Sequence, residues 1–126
     1  MGKRKARRGT REEGIALTQA TIRVADRFGI SQKVLASIIG LSESTVSRMQ
    51  RGSIELERDN GKAFELAQLL LRLYDLLDRM VSGDQAAAKA WMRADNTMLQ
   101  ARPVDLIQHL QGLAHVVDYL RTRLPG

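Results

Sequence analysis

A chain of 126 residues without one cysteine carries neither a disulfide framework nor a thiolate metal site, and it fits a reducing cytosol, so a cytoplasmic location is expected. Long hydrophobic runs are missing too. No apolar stretch approaches the length that spans a bilayer, and the basic start Met1-Gly2-Lys3-Arg4-Lys5 is followed by no apolar signal-peptide core, so no membrane partner is expected. The glycines are scattered singly, which excludes a glycine-rich phosphate loop. His109 and His115 stand apart from any carboxylate repeated at metal spacing, and no serine is tied to either of them, so neither a metal site nor a nucleophile with its base is indicated. Asp75 and Asp78 share a helix, but no environment divides them into an acid and a base. Together these absences lead to the expectation of a non-enzyme without a cofactor.

What is present is a globular balance, 44% hydrophobic and 27% charged, in a length that suits one domain or two small helical modules. So short a chain buries little surface alone and would gain from dimerisation. The formal charge of +6 is concentrated at the start: residues 1–13 hold six basic and two acidic side chains. Lys3, Arg4, Lys5, Arg7 and Arg8 form a block that cannot enter a core, so residues 1–14 are expected to be a flexible basic arm. Its natural partner is a polyanion such as the DNA backbone, the other reading being a solubilising tail.

Apolar spacing predicts helices throughout and no strand. Ile15, Leu17, Ile22, Val24, Ala25 and Phe28 outline a first helix that Gly29 stops. Ser31 caps a second through Ile39, Gly40 ends it, and Ser42 caps a third running to about Gln50. The polar stretch 53–62, with Asn60-Gly61 as a turn signal, marks a module boundary. Beyond it, seven leucines lie between Leu66 and Leu77, and Leu66, Leu69, Leu70, Leu73, Leu77 and Met80 make one helical face. Leu71, Tyr74 and Leu76 widen that surface, so part of it is expected to meet a second subunit. Ser82-Gly83-Asp84 breaks this helix and caps one carrying Trp91, read as a core anchor, which ends near Asp95-Asn96. Pro103 opens another through Leu110, Gly112 interrupts, and Leu113 to Leu124 forms the last. The expected fold is thus all-α: a helix-turn-helix bundle over 15–62, then a long dimerisation helix and a small C-terminal helical domain over 63–126.

The informative segment is Gln32 to Arg51. Ala36 is small where two helices cross, Gly40 can take the positive φ that redirects the chain, and Leu35, Ile39, Leu41, Val46 and Met49 supply a shared core. The second helix of a helix-turn-helix presents its outward residues to the major groove of double-stranded DNA. Here these are Ser42, Glu43, Ser44, Thr45, Ser47 and Arg48. Arg48 has the fork that binds guanine O6 and N7 together, Glu43 can accept from cytosine or complement the helix terminus, and the hydroxyls suit phosphates or base edges. Gln32, opening the scaffold helix, is placed for the backbone.

The run Gln32, Leu35-Ala36, Gly40-Leu41-Ser42 and Val46-Ser47-Arg48 resembles the Xre-type helix-turn-helix of phage repressors. Further on, Trp91-Met92, Asn96, Leu99, Pro103-Val104-Asp105-Leu106-Ile107 and Val116-Val117-Asp118-Tyr119-Leu120 are similar to the toxin-binding domain of Xre/MbcA/ParS antitoxins. The resemblance implies an antitoxin of a toxin-antitoxin system that inhibits a RES-domain toxin acting on NAD, represses its own operon as a homodimer, and blocks the toxin's cleft with its C-terminal end. Carried over, that end offers Tyr119, Arg121, Arg123, Leu124, Pro125 and Gly126. The competing reading is a stand-alone transcriptional repressor whose C-terminal helices only dimerise. A pure protein inhibitor that has lost its DNA contacts is another.

Overall fold

The computed structural model describes residues 2–59 and 61–124, and these form seven helices: α1 (Gly2–Phe28), α2 (Gln32–Ile39), α3 (Glu43–Gln50), α4 (Ala63–Met80), α5 (Gln85–Arg93), α6 (Pro103–Leu106) and α7 (Leu110–Arg123). The fold is all-α, as expected. Among the described residues the one β pairing is an isolated bridge between Asn96 and Ala101.

Three of the expected caps are present as hydrogen bonds. Ser31, Ser42 and Asp84 each accept, through a side-chain oxygen, from the backbone N–H three residues on: Val34, Thr45 and Ala87, all at 3.1 Å. Each cap satisfies one donor that a helix start otherwise leaves without a partner. The start of α1 differs from the expectation. Helix runs from Gly2, through the residues expected as a flexible arm, instead of beginning near Ile15. Lys, Arg, Ala and Glu are strong helix formers, and extending a nucleated helix adds one hydrogen bond per residue ordered, so no apolar period is needed there.

Helix α4 is the hub. Its Ala67, Leu70, Leu73 and Leu77 are fully buried, and α4 packs against α1, α2, α5 and α7. Each buried leucine contributes about 1.5–3 kcal/mol of transfer free energy. Much of the broad apolar surface, part of which is expected to meet a second subunit, is covered within one chain. The buried face is Ala63, Phe64, Ala67, Leu70, Leu73, Leu76 and Leu77, while Leu66, Leu69 and Met80 are half-buried. The sequence pattern put those three on the core stripe. Helix α1 covers more of α4 than a single stripe anticipates: the Phe28 and Tyr74 rings pack 5.3 Å apart, and Arg27 donates to the Tyr74 hydroxyl at 2.8 Å.

The last two helices also depart from expectation. Helix α6 stops at Leu106, and α7 begins at Leu110, so Gly112 lies inside α7 and does not interrupt it. A Cβ at Gly112 would stand 2.0 Å from the Leu106 carbonyl oxygen. The glycine is there to let the α6 backbone approach. Helix α5 ends at Arg93, whose guanidinium donates to the Gly29 carbonyl at 2.7 Å, placing a cation at the carboxyl end of α1 where the helix dipole favours one.

Candidate functional site

Helices α2 and α3 meet through Leu35, Ile39 and Val46, all fully buried, with Ala36 at 5% and Met49 at 4% exposure. Leu41, expected in the same core, is half-buried at its edge. The turn between them depends on Gly40, whose φ of 73° and ψ of 33° are left-handed. That conformation costs an L-residue with a side chain roughly 1–2 kcal/mol. It lets the N–H groups of Gly40 and Leu41 both reach the Ala36 carbonyl, the latter at 3.0 Å, so the chain turns sharply without stranding either donor.

Helix α3 consequently stands with one face outward. Glu43, Ser44 and Arg48 are exposed, and Ser47 and Thr45 are half-buried. The hydroxyls are not equivalent. Ser42 accepts from the Thr45 N–H and lies 2.8 Å from the Thr45 hydroxyl, which commits both groups to the cap, whereas Ser44 is a looser 3.3 Å from Ser42. Helical spacing places Ser44, Ser47 and Arg48 on the same side as Arg51, which is also exposed. Arg51 is not among the sequence candidates, although it stands four residues beyond Ser47, and carrying the helical period one residue past Gln50 finds it. Gln32 opens α2, half-buried, and its amide donates to the side chain of Gln50 at the far end of α3. It therefore braces the two helices as well as facing outward.

The segment after α3 is fastened to α1. Ser53 donates through both its backbone N–H and its hydroxyl to the Arg48 carbonyl, at 3.0 and 3.2 Å, closing the end of α3. Leu56, 1% exposed, donates its N–H to the Thr18 hydroxyl at 2.8 Å, while that hydroxyl donates to the Gly14 carbonyl at 2.6 Å. A Cβ at Gly14 would lie 2.1 Å from the Leu56 carbonyl oxygen. The arrangement fixes how α3 leaves the core. Ion pairs of Arg58 with Glu13 and of Arg11 with Glu55 continue it at the surface.

A second surface forms where α5 meets α7. The Trp91 and Tyr119 rings stack, with centroids 6.5 Å apart and planes at 21°, and the Arg123 guanidinium lies 4.7 Å over the other member of the pair, Tyr119. Trp91 and Tyr119 are both half-buried and Arg123 is exposed. Trp91, expected as a core anchor, packs against the core at its edge and is also one end of a partly open row. Arg121 does not join it. Two residues from Tyr119, it occupies the opposite side of α7. Leu124 is half-buried at the end of α7, and Pro125 and Gly126 lie outside the described residues.

The hydrogen bond to Tyr74 raises the pKa of the Arg27 guanidinium above its usual value, which keeps an already permanent cation charged. Among the described residues no group of three or more His, Cys, Asp or Glu side chains is arranged to hold a metal ion, and no helix is long and apolar enough to cross a membrane.

Residues 7–72 match the antitoxin Xre-like helix-turn-helix domain, and residues 72–123 match the antitoxin Xre/MbcA/ParS C-terminal toxin-binding domain. None of the curated proteins compared matches the chain. The two matches meet at Arg72, inside α4, the helix whose buried leucines both halves share.

Proposed function

Because this chain belongs to the antitoxins that carry an Xre-like helix-turn-helix domain, here followed by an Xre/MbcA/ParS toxin-binding domain, we propose that it neutralises a RES-domain, NAD-consuming toxin by direct binding and represses its own operon. The observation that carries this reading is the presence of two separate, differently built surfaces on one core. The outward face of α3, with Ser44, Ser47, Arg48 and Arg51, has the donor set of a major-groove reader. The row Trp91, Tyr119 and Arg123 has the aromatic and arginine composition of a protein-binding hot spot.

On this reading Arg48 makes the principal base contact, Ser44 and Ser47 contact phosphates or base edges, and Gln32 steadies α2 on the backbone. Ser42 and Thr45 act by holding the start of α3, and Glu43 complements its amino end. At the other surface Tyr119, Arg123 and Leu124 meet the toxin together with Trp91, followed by Pro125 and Gly126, while Arg121 contributes at the rim. The domain limits remain those of the sequence reading, a basic segment over 1–14, a DNA-binding unit over 15–62 and a dimerising and toxin-binding unit over 63–126. A homodimer would present two α3 helices to two half-sites of a palindromic operator, about one DNA turn or a multiple of it apart.

The direct test is co-expression of the full chain with the product of the neighbouring reading frame. Co-purification, relief of growth arrest and binding of the pair to the upstream DNA are the expected results. A chain that binds that DNA and captures no neighbouring product would instead be a stand-alone repressor.

A further inference from the structure

Two leucines of α4 that the core covers only in part, Leu66 and Leu69, line a shallow groove of about 600 Å³ together with Leu110 at the start of α7. Leu110 is 51% exposed, one of two large hydrophobic side chains so open among the described residues. Charged side chains rim the groove. Along the exposed side of α4 the order is Lys62, Glu65, Gln68, Arg72 and Asp75, all exposed, so the signs run positive, negative, neutral, positive, negative. Read backwards, the same helix gives negative, positive, neutral, negative, positive.

We infer that this face of α4 is the self-association surface of the protein, packing antiparallel against α4 of a second copy across a two-fold axis near Gln68 and Leu69. The inference rests on the dimer proposed above and names its interface. Charge complementarity selects the occupant. Antiparallel pairing sets Glu65 against Arg72 of the partner subunit and Lys62 against Asp75 of the partner subunit, and the two-fold repeats each pair. Parallel packing would place like charge on like charge. The mixed signs do not suit a DNA backbone, which asks for one sign of charge. Asp75 already has Arg79 at 3.6 Å on its own helix, but both are largely exposed, so the carboxylate keeps room for a second cation. The Lys62 to Asp75 span is about 20 Å of helix at 1.5 Å per residue. Because α4 also packs on α2, an interface here fixes the spacing of the two DNA-reading units directly.

Sedimentation velocity of the full chain from about 1 to 200 µM reads the dissociation constant. Glu65→Arg and Arg72→Glu are each expected to weaken association by about tenfold or more, since each reversal puts two like-charged pairs in the seam. The double variant Glu65→Arg/Arg72→Glu is expected to return to within about threefold of the original, because the pairs are restored with their signs exchanged. Both positions are exposed, so the far-ultraviolet circular dichroism of all three variants should match the parent and shows that each is folded, whatever its association does to the unfolding temperature. A dimer unmoved by either reversal, or a double variant as weak as the singles, overturns the α4 surface and leaves the dimer itself standing. A chain that stays at 14.1 kDa throughout overturns both.

Discussion

The Leu56 N–H donates to the Thr18 hydroxyl at 2.8 Å, across 38 residues of sequence, and so ties the chain leaving α3 to the middle of α1. Thr18→Val keeps the shape and removes the acceptor, leaving a buried N–H without a partner. A loss of about 1–3 kcal/mol is expected, measured by urea unfolding of the full chain. Gly14→Ala should cost as much or more, because its methyl group would press on the Leu56 carbonyl. Unchanged stability in both would mean that this strap does not hold the segment.

Ser42→Ala removes the hydroxyl that caps α3 and orders Thr45. A destabilisation of about 0.5–2 kcal/mol is expected, accompanied by weaker operator binding, since the reader helix frays at the end that faces the groove. Ser42→Asp restores an acceptor and should recover the stability. It should not recover the DNA affinity, because it adds a negative charge beside phosphates. Equal affinity for DNA in Ser42→Asp and the parent would place the start of α3 away from the backbone.

For DNA itself, Arg48→Ala and Arg51→Ala make different demands. If Arg48 is bidentate to guanine, its loss costs about 1–3 kcal/mol and relaxes sequence preference at one position. Arg51, at the last turn of α3, should act on phosphates: its loss weakens all sequences alike and reduces the slope of affinity against salt by about one unit. Binding titrations at several salt concentrations, on operator and scrambled DNA, separate the two.

These experiments bear on residues that were unequally legible in the sequence. The helix-turn-helix could be read because its constraints are local: Ser31, Gly40 and Ser42 announce their caps and turn by residue type alone, and the structure places each in that geometry. The strap of Gly14, Thr18 and Leu56 could not, since a threonine and a glycine on a helix say nothing of a loop arriving from far along the chain. Gly112 misled for the same reason. Its lack of a side chain serves contact with Leu106 rather than a helix break. The leucines of α4 are too many for one stripe, and helices of the same chain cover most of that surface while leaving Leu66 and Leu69 half-buried, a division that spacing along one helix does not reveal. Trp91 packs against the core as its type suggests, but a lone tryptophan gives no hint that Tyr119, on another helix, stacks on it.

The single tryptophan also supplies a probe. If the Trp91, Tyr119 and Arg123 row meets the toxin, complex formation should remove water from the indole and shift its emission to shorter wavelength. Tyr119→Ala should weaken the complex by about 2 kcal/mol or more, the scale of a central aromatic contact, while operator binding by the antitoxin alone remains. An unaltered emission spectrum in a complex shown to have formed would move the toxin contact elsewhere on the chain.

The most direct test of the antitoxin reading is cellular NAD, measured after inducing the neighbouring toxin together with the parent chain, with Arg48→Ala, or with Trp91→Ala/Tyr119→Ala. The account predicts that NAD is held by the parent and by Arg48→Ala, and that it collapses with the double aromatic variant present at equal abundance. Preservation of NAD by the aromatic variant, or its collapse with the parent chain, would contradict it.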